Sequence, residues 1–471
     1  MLRHSFWWKG SGTAVAVAGL ALAGLAAAAP ASAAPAARAA AAPAGPVSST
    51  PAAGTPQLAS TGTTQTVRQL VQCGNTMYAV GSFTTIKRYS TTFTRNNIVS
   101  FSATSPYKVT SWAPNVNGEV NSITFHGSDC SNAYIGGSFT TVNGTAAKNI
   151  AEISTSTGAV VTAFRHSANG KVETLASHGS HILVGGYYKS ISNSTANPYM
   201  TSLDATTGKD DGFIHLGISG NYHFCSGSKC TSDNPTRVYN QQISHGGTLD
   251  LVEGDFTTVG GLPRQQIFML NLATTPATLT PWTSPEWDGS DPSQPYQCWF
   301  TESFYIRAAA WSPDDQTVYI GTTGFHPFTQ PTGKFPRQGL CDVAAAFPAT
   351  QTSVSHKWIN YTGCDSLYST AADNGAAYFG GHERWSMNPQ GCDFQGPGAV
   401  ADPGMEGLSP GDGSMLTNAS GGPRYTRSRG KGADDMLVTS GGLWIASDND
   451  ESQSCNGVSS HAGICFLPYG S

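Results

Sequence analysis

Three ionisable residues in a row, His382-Glu383-Arg384, followed by Trp385, come directly after the strand-like run Tyr378-Phe-Gly-Gly381. Comparable runs elsewhere continue as Ser-Phe-Thr-Thr, and a break in a chain's own rule tends to mark a site. Arg427 and Arg429, then Asp448 and Asp450, fall in the stretches that follow. Glu383 with Asp448 and Asp450, beside His382 and the arginines, has the residue types for binding an anion or metal, or for acid–base work on a polysaccharide. The plainer reading is a salt-bridged plug. A second set is aromatic: Trp282, Trp287, Tyr296 and Trp299, with Asp288 and Asp291 among them. Such rings stack on sugars while carboxylates accept hydroxyl hydrogen bonds, but the same residues would equally form a loop's private core.

Other motifs are weaker. Asp448-Asn-Asp450-Glu-Ser452 begins like a calcium loop, yet Gln453 stands where the turn glycine belongs and Ser459 where the bidentate Glu belongs. That excludes an EF-hand and leaves only a loose Ca²⁺ site at Asp448 and Asp450. Gly407-Leu-Ser409-Pro-Gly411 matches GxSxG in form, but Pro410, Gly411 and Gly413 describe a hairpin turn rather than a nucleophile elbow. No catalytic constellation stands out, and no cofactor is expected.

The elements that must carry these residues are short strands. Of the 471 residues, 12% are charged and 54 are glycine, which suits an all-β chain. A net charge of −5 gives no footprint for nucleic acid. Residues 1–33 read as an export signal: Arg3, His4 and Lys9, an apolar stretch from Thr13 to Ala29, then Ala31-Ser32-Ala33. No membrane span is expected in the mature chain. Residues 34–56 are Ala/Pro-rich and read as a disordered linker.

An exported chain with ten cysteines should pair them. Cys225 with Cys230, and Cys455 with Cys465, bracket short loops, while Cys73 and Cys130 occupy equivalent turns. Cys298, Cys341, Cys364 and Cys392 allow three connectivities.

From residue 57 to 471 one pattern recurs. A strand ends in glycine at Gly81, Gly137, Gly186, Gly254, around Thr322, at Gly381 and around Ser447, a unit of roughly 50–70 residues. Each copy is preceded by another strand and a tight turn, as in Val120–His126, and followed by a third, as in Asn149–Ile153. Fourth strands such as Val160–Phe164 close the unit. Seven units of four antiparallel strands predict a seven-bladed β-propeller. The segment Gln57–Thr66 is expected to complete the last blade and tie the termini together.

Gly136-Gly-Ser-Phe-Thr-Thr-Val-Asn-Gly144 followed by Asn149-Ile-Ala resembles the delta-60-type β-propeller repeats of secreted bacterial proteins, as do Gly380–Trp385 and Leu443–Asp450. The resemblance implies an exported propeller and carries over no catalytic residues. The expected function is non-catalytic recognition of a glycan, cell-surface polymer or protein by a monomer, through one loop-rich face. The alternative is a secreted polysaccharide-acting enzyme.

Overall fold

A computed structural model describes residues 45–164, 167–221, 225–226, 229–230, 235–287, 304–324, 340–363, 365–388, 395–427, 432–449, 454–459 and 461–470, with only the backbone at 225–226 and 229–230. Valine, isoleucine and tyrosine runs bounded by Gly and Asn turns form strands throughout, and Pro285–Trp287 is a single 3₁₀ turn. Each repeat opens with a first strand: Thr66–Cys73, Glu119–His126, Lys171–His178, Arg237–Ile243, Ile306–Trp311, Leu367–Ala372 and Ala433–Thr439. Each pairs antiparallel with a second strand, such as Thr76–Ser82 or Asp129–Ser138, which pairs with a third, such as Ile98–Ser102 or Ile150–Ser154. Up-and-down sheets of this kind, packed face to face in chain order, define a β-propeller.

The expected fourth strand is rudimentary in most repeats. Thr278–Leu279 and Trp358–Tyr361 are true fourth strands. Elsewhere the strand shrinks to one bridge, as between Ile153 and Val160. Polar residues such as Thr162 give the outer edge little apolar surface to bury, so pairing stops early.

All seven first strands share one irregularity, a β-bulge near their start. The residue before it is buried and mostly apolar: Val67, Val120, Val172, Val238, Ile306, Leu367 and Ala433. This explains the glycine pair of the repeat. A Cβ on Gly137 would lie 2.1 Å from the Glu119 carbonyl oxygen of its own bulge. A Cβ on Gly136 would lie 2.4 Å from Val172 of the next sheet. One glycine admits the bulge and the other admits the neighbouring sheet.

Buried side chains fall between consecutive sheets. Val80 and Ile98 meet Val120 and Phe125; Tyr134 meets Val172; Leu183 meets Val238. Trp282 and Trp287 lie in the cluster of the fourth and fifth sheets. Trp444 and Phe466 of the last sheet meet Val67 and Leu70 of the first.

The N-terminal segment departs from expectation. Gln57–Leu58 pairs with Thr85–Arg88 of a side hairpin, and it meets the last sheet through the Leu58 N–H, which donates to Ala462 O at 2.8 Å. The chain that lies along the last sheet comes earlier: Ser48 N–H donates to Pro468 O at 2.8 Å and Ala52 N–H to Phe466 O at 2.9 Å. Residues 45–56, expected within a disordered linker, are therefore anchored. The physical reason is Val47, fully buried, whose N–H donates to the Tyr378 hydroxyl and whose carbonyl accepts from Tyr425.

Two disulfides match the expected pairs, Cys73–Cys130 and Cys455–Cys465, with Cα separations of 5.8 and 6.3 Å. Cys225 and Cys230 face each other across a two-stranded hairpin, and Cys341 is disulfide-bonded. Cys298, Cys364 and Cys392 lie outside the described residues.

Candidate functional site

A bulge pushes one residue out of the ladder and re-aims its side chain. The residues so displaced are Arg68, Asn121, Glu173, Tyr239, Arg307, Tyr368 and Asp434. All seven line one cavity of about 310 Å³, together with Lys171, Arg237, Asn240 and Gln241. The size is at the lower end of small-molecule sites.

The cavity wall is a ladder of charge. Arg68 pairs with Glu119 and Asp434, both at 3.0 Å; Lys171 with Glu119 at 3.5 Å and Glu173 at 3.2 Å; Arg237 with Glu173 at 3.9 Å. Burial works against the charge of Arg68, but Asp434 and Glu119 outweigh it and raise its pKa. Burial likewise pushes Glu119 up, and Lys171 and Arg68 together bring it below the usual carboxylate range. The opposite side is aromatic: the Arg307 guanidinium lies 5.0 Å from the Tyr239 ring centroid and 6.0 Å from that of Tyr368.

Acidic groups also sit in the core. In the fourth repeat Glu253 replaces the first glycine of the pair, and burial pushes it up to about 8, with Asn240 and Arg307 opposing. In the sixth, Glu383, Asp402 and Glu406 are fully buried. Two backbone bonds bring them together: Asp402 N–H to Arg384 O and Gly404 N–H to Glu383 O, each 2.9 Å. Burial, then Glu406 and Asp402, push Glu383 well up; burial pushes Glu406 up to about 8, with the Ser386 hydroxyl opposing. Among the described residues no group of three or more His, Cys, Asp or Glu side chains is placed to hold a metal ion.

Among the described residues, none of those singled out from the sequence lines the cavity. The His382 ring lies 5.4 Å from that of Tyr368, which does. Arg384 is taken by Asp365 in a two-point pair at 2.6 and 3.2 Å. Trp385 is half-buried in a short hairpin with Val400–Ala401. Arg427 is buried, bonded to Ser447 and His461 O, and Asp448 opposes the loss of charge that burial imposes on it. Glu383 and Asp448 thus do not form a carboxylate pair: one sits among acids, the other beside an arginine, and both are inaccessible. Of the expected salt bridges, Arg384 pairs with Asp365 while Glu383 has acidic neighbours.

Trp282 and Trp287, offered for sugar stacking, are core residues at 1% and 0% exposure with ring centroids 4.4 Å apart. Their indoles fill the space between two sheets and present no face to solvent. Tyr296, Trp299, Arg429 and Asp450 lie outside the described residues. The bulge positions were missed because each looks like one more polar residue in a strand. The available signal was the buried residue before it, followed at the same place in every copy by a side chain of no fixed type.

The sheets and the polar cavity they share make this a β-propeller. No family model matches the chain, and no curated protein does. Among solved structures it is similar to U3-55K (TM-score 0.48, 9% identity, 89% of this chain and 100% of that one). It is also similar to the RRP9 WD40 repeats (0.46, 8%, 88% and 99%) and the WD40 β-propeller domain of Doa1 (0.41, 12%, 87% and 96%). At TM-scores below 0.5 these likenesses carry no argument about activity or partners.

Proposed function

We propose that this chain is a secreted, monomeric, non-catalytic binding protein of the delta-60-type repeat kind, taking a glycan or surface polymer at the mouth of its channel. The observation that carries this is the convergence of one bulge side chain from each of seven first strands on a single polar cavity. A ring of unlike side chains on a repeated frame is a binding surface. Nothing in it resembles a nucleophile–base pair.

The frame is read as seven blades in a closed ring. Support comes from the seven bulged first strands, from the contact of Ala433–Thr439 with Thr66–Cys73, and from the mixed core of the last and first sheets. Residues 45–52 act as the outer strand of the last blade. Export follows from the signal-like residues 1–33, with the mature chain starting at Ala34. Against the enzyme reading, Glu383 and Asp448 are both buried, one among acids and the other beside Arg427.

A glycan array and a polysaccharide-hydrolysis screen on the mature protein, with and without Ca²⁺, test the assignment. Binding without turnover is expected, weakened by Arg68→Ala together with Glu173→Ala. Turnover of any polysaccharide, or binding indifferent to both substitutions, would reject it. A Ca²⁺ requirement would revive the loose site at Asp448 and Asp450.

A further inference from the structure

The basic groups around the channel are not held alike. Arg68 and Lys171 each have two carboxylate partners. Among the described residues Arg307 has no hydrogen bond and no ion pair; it lies beside the rings of Tyr239 and Tyr368, and its charge opposes the rise of the buried Glu253. Next to it, Arg237 reaches Glu173 only at 3.9 Å and keeps a buried Nε without a partner. Two acceptors lining the same cavity, Asn121 Oδ1 and Gln241 Oε1, are also buried and unpartnered. A buried polar group left without a partner is destabilising. Donors and acceptors left open on one cavity wall are explained by a polar occupant.

The charge pattern says which. Glu119, Glu173 and Asp434 are committed to Arg68, Lys171 and Arg237, and Asp435 accepts the Leu70 N–H at 2.8 Å. That leaves one guanidinium fork, whose planar donors match a carboxylate. Two tyrosine rings flank it, as apolar faces for a sugar ring. The remaining lining is amide and hydroxyl, with Ala308 and Ala309 as its apolar members. Hydroxyls suit such walls; a peptide's apolar side chains do not.

We infer that the channel mouth binds the uronic acid residues of an acidic polysaccharide, with Arg307 as the residue that selects the carboxylate. This rests on the channel being the ligand site. A monosaccharide unit fits within the cavity of about 310 Å³.

The test is calorimetric titration of the mature chain at low salt with digalacturonate, methyl α-galactopyranoside, an acetylated dipeptide acid and inorganic phosphate. Digalacturonate should bind best. Arg307→Gln should weaken it at least tenfold with unchanged circular dichroism, and Arg307→Lys should recover part of the loss. Equal binding by wild type and Arg307→Gln overturns the inference, as does preference for phosphate or the peptide acid. If the neutral galactoside binds as well as the uronate and Asn121→Ala weakens both, only the carboxylate selection falls. If no channel substitution alters binding of any probe, the channel reading falls with it.

Discussion

Glycines of the repeat differ in what they tolerate, and the difference can be measured. A Cβ at Gly137 would meet the Glu119 backbone oxygen at 2.1 Å, which neither strand can relieve without breaking the bulge. Gly144, with φ +79, has nothing within 4 Å and pays only for its left-handed backbone beside Asn143 at φ 50. Gly137→Ala should therefore cost about 3 kcal/mol and Gly144→Ala about 1 kcal/mol in denaturant melts. Equal costs would show that the bulge does not govern the motif.

The buried acids give a pH signature. Burial holds Glu406 and Glu253 at about 8, above the value of an unfolded carboxylate. A carboxyl with a raised folded pKa contributes stability that is complete below about pH 4.5 and is lost as pH rises through its folded value. The melting temperature should fall between pH 5 and pH 9. Glu406→Gln should flatten that slope, removing on the order of 5 kcal/mol of pH dependence. A slope unchanged in the variant would mean that the carboxyl ionises freely.

At the scale of elements, two staples hold the ends. The disulfide Cys73–Cys130 joins the hairpin turns of consecutive sheets across 57 residues. Replacing both cysteines with serine should cost roughly 2–5 kcal/mol, read as a lower melting temperature and a smaller further drop on reduction. The strap at residues 45–52 is the second staple. Val47→Ala removes two buried methyl groups and should cost about 1–3 kcal/mol. No loss of stability would mean that the strap rests on the last sheet without supporting it.

The third strands show a subtler economy. Asn97 and Asn149 start two of them with φ of 67 and 66, a conformation asparagine adopts readily. Their side-chain amides then donate to Val116 O and Ala168 O, in the approach to the next sheet, both at 2.9 Å. What reads in the sequence as a repeated Asn-Ile is a joint between repeats.

At the scale of the whole molecule, the repeat carried the architecture. The Asn143-Gly144 turn and the Cys455–Cys465 pair follow from local spacing, while strand order and the Cys73–Cys130 pair follow from the period of the repeat. The outer strand of the last sheet was misplaced because one buried valine in an Ala/Pro-rich stretch has no periodicity to announce it. His382–Trp385 and the tryptophans drew attention by chemistry, yet burial decided their role. Burial is a property of the neighbouring sheets, and no local pattern encodes it.

The sequence by itself determined that this chain repeats a β-meander whose strands end in glycine, because those residues satisfy steric demands within their own hairpin. Only the tertiary structure decided where chemistry gathers. Arg68, Asn121, Glu173, Tyr239, Arg307, Tyr368 and Asp434 lie far apart along the chain and have no residue type common to them all. They become neighbours because each bulge turns one side chain toward a common cavity.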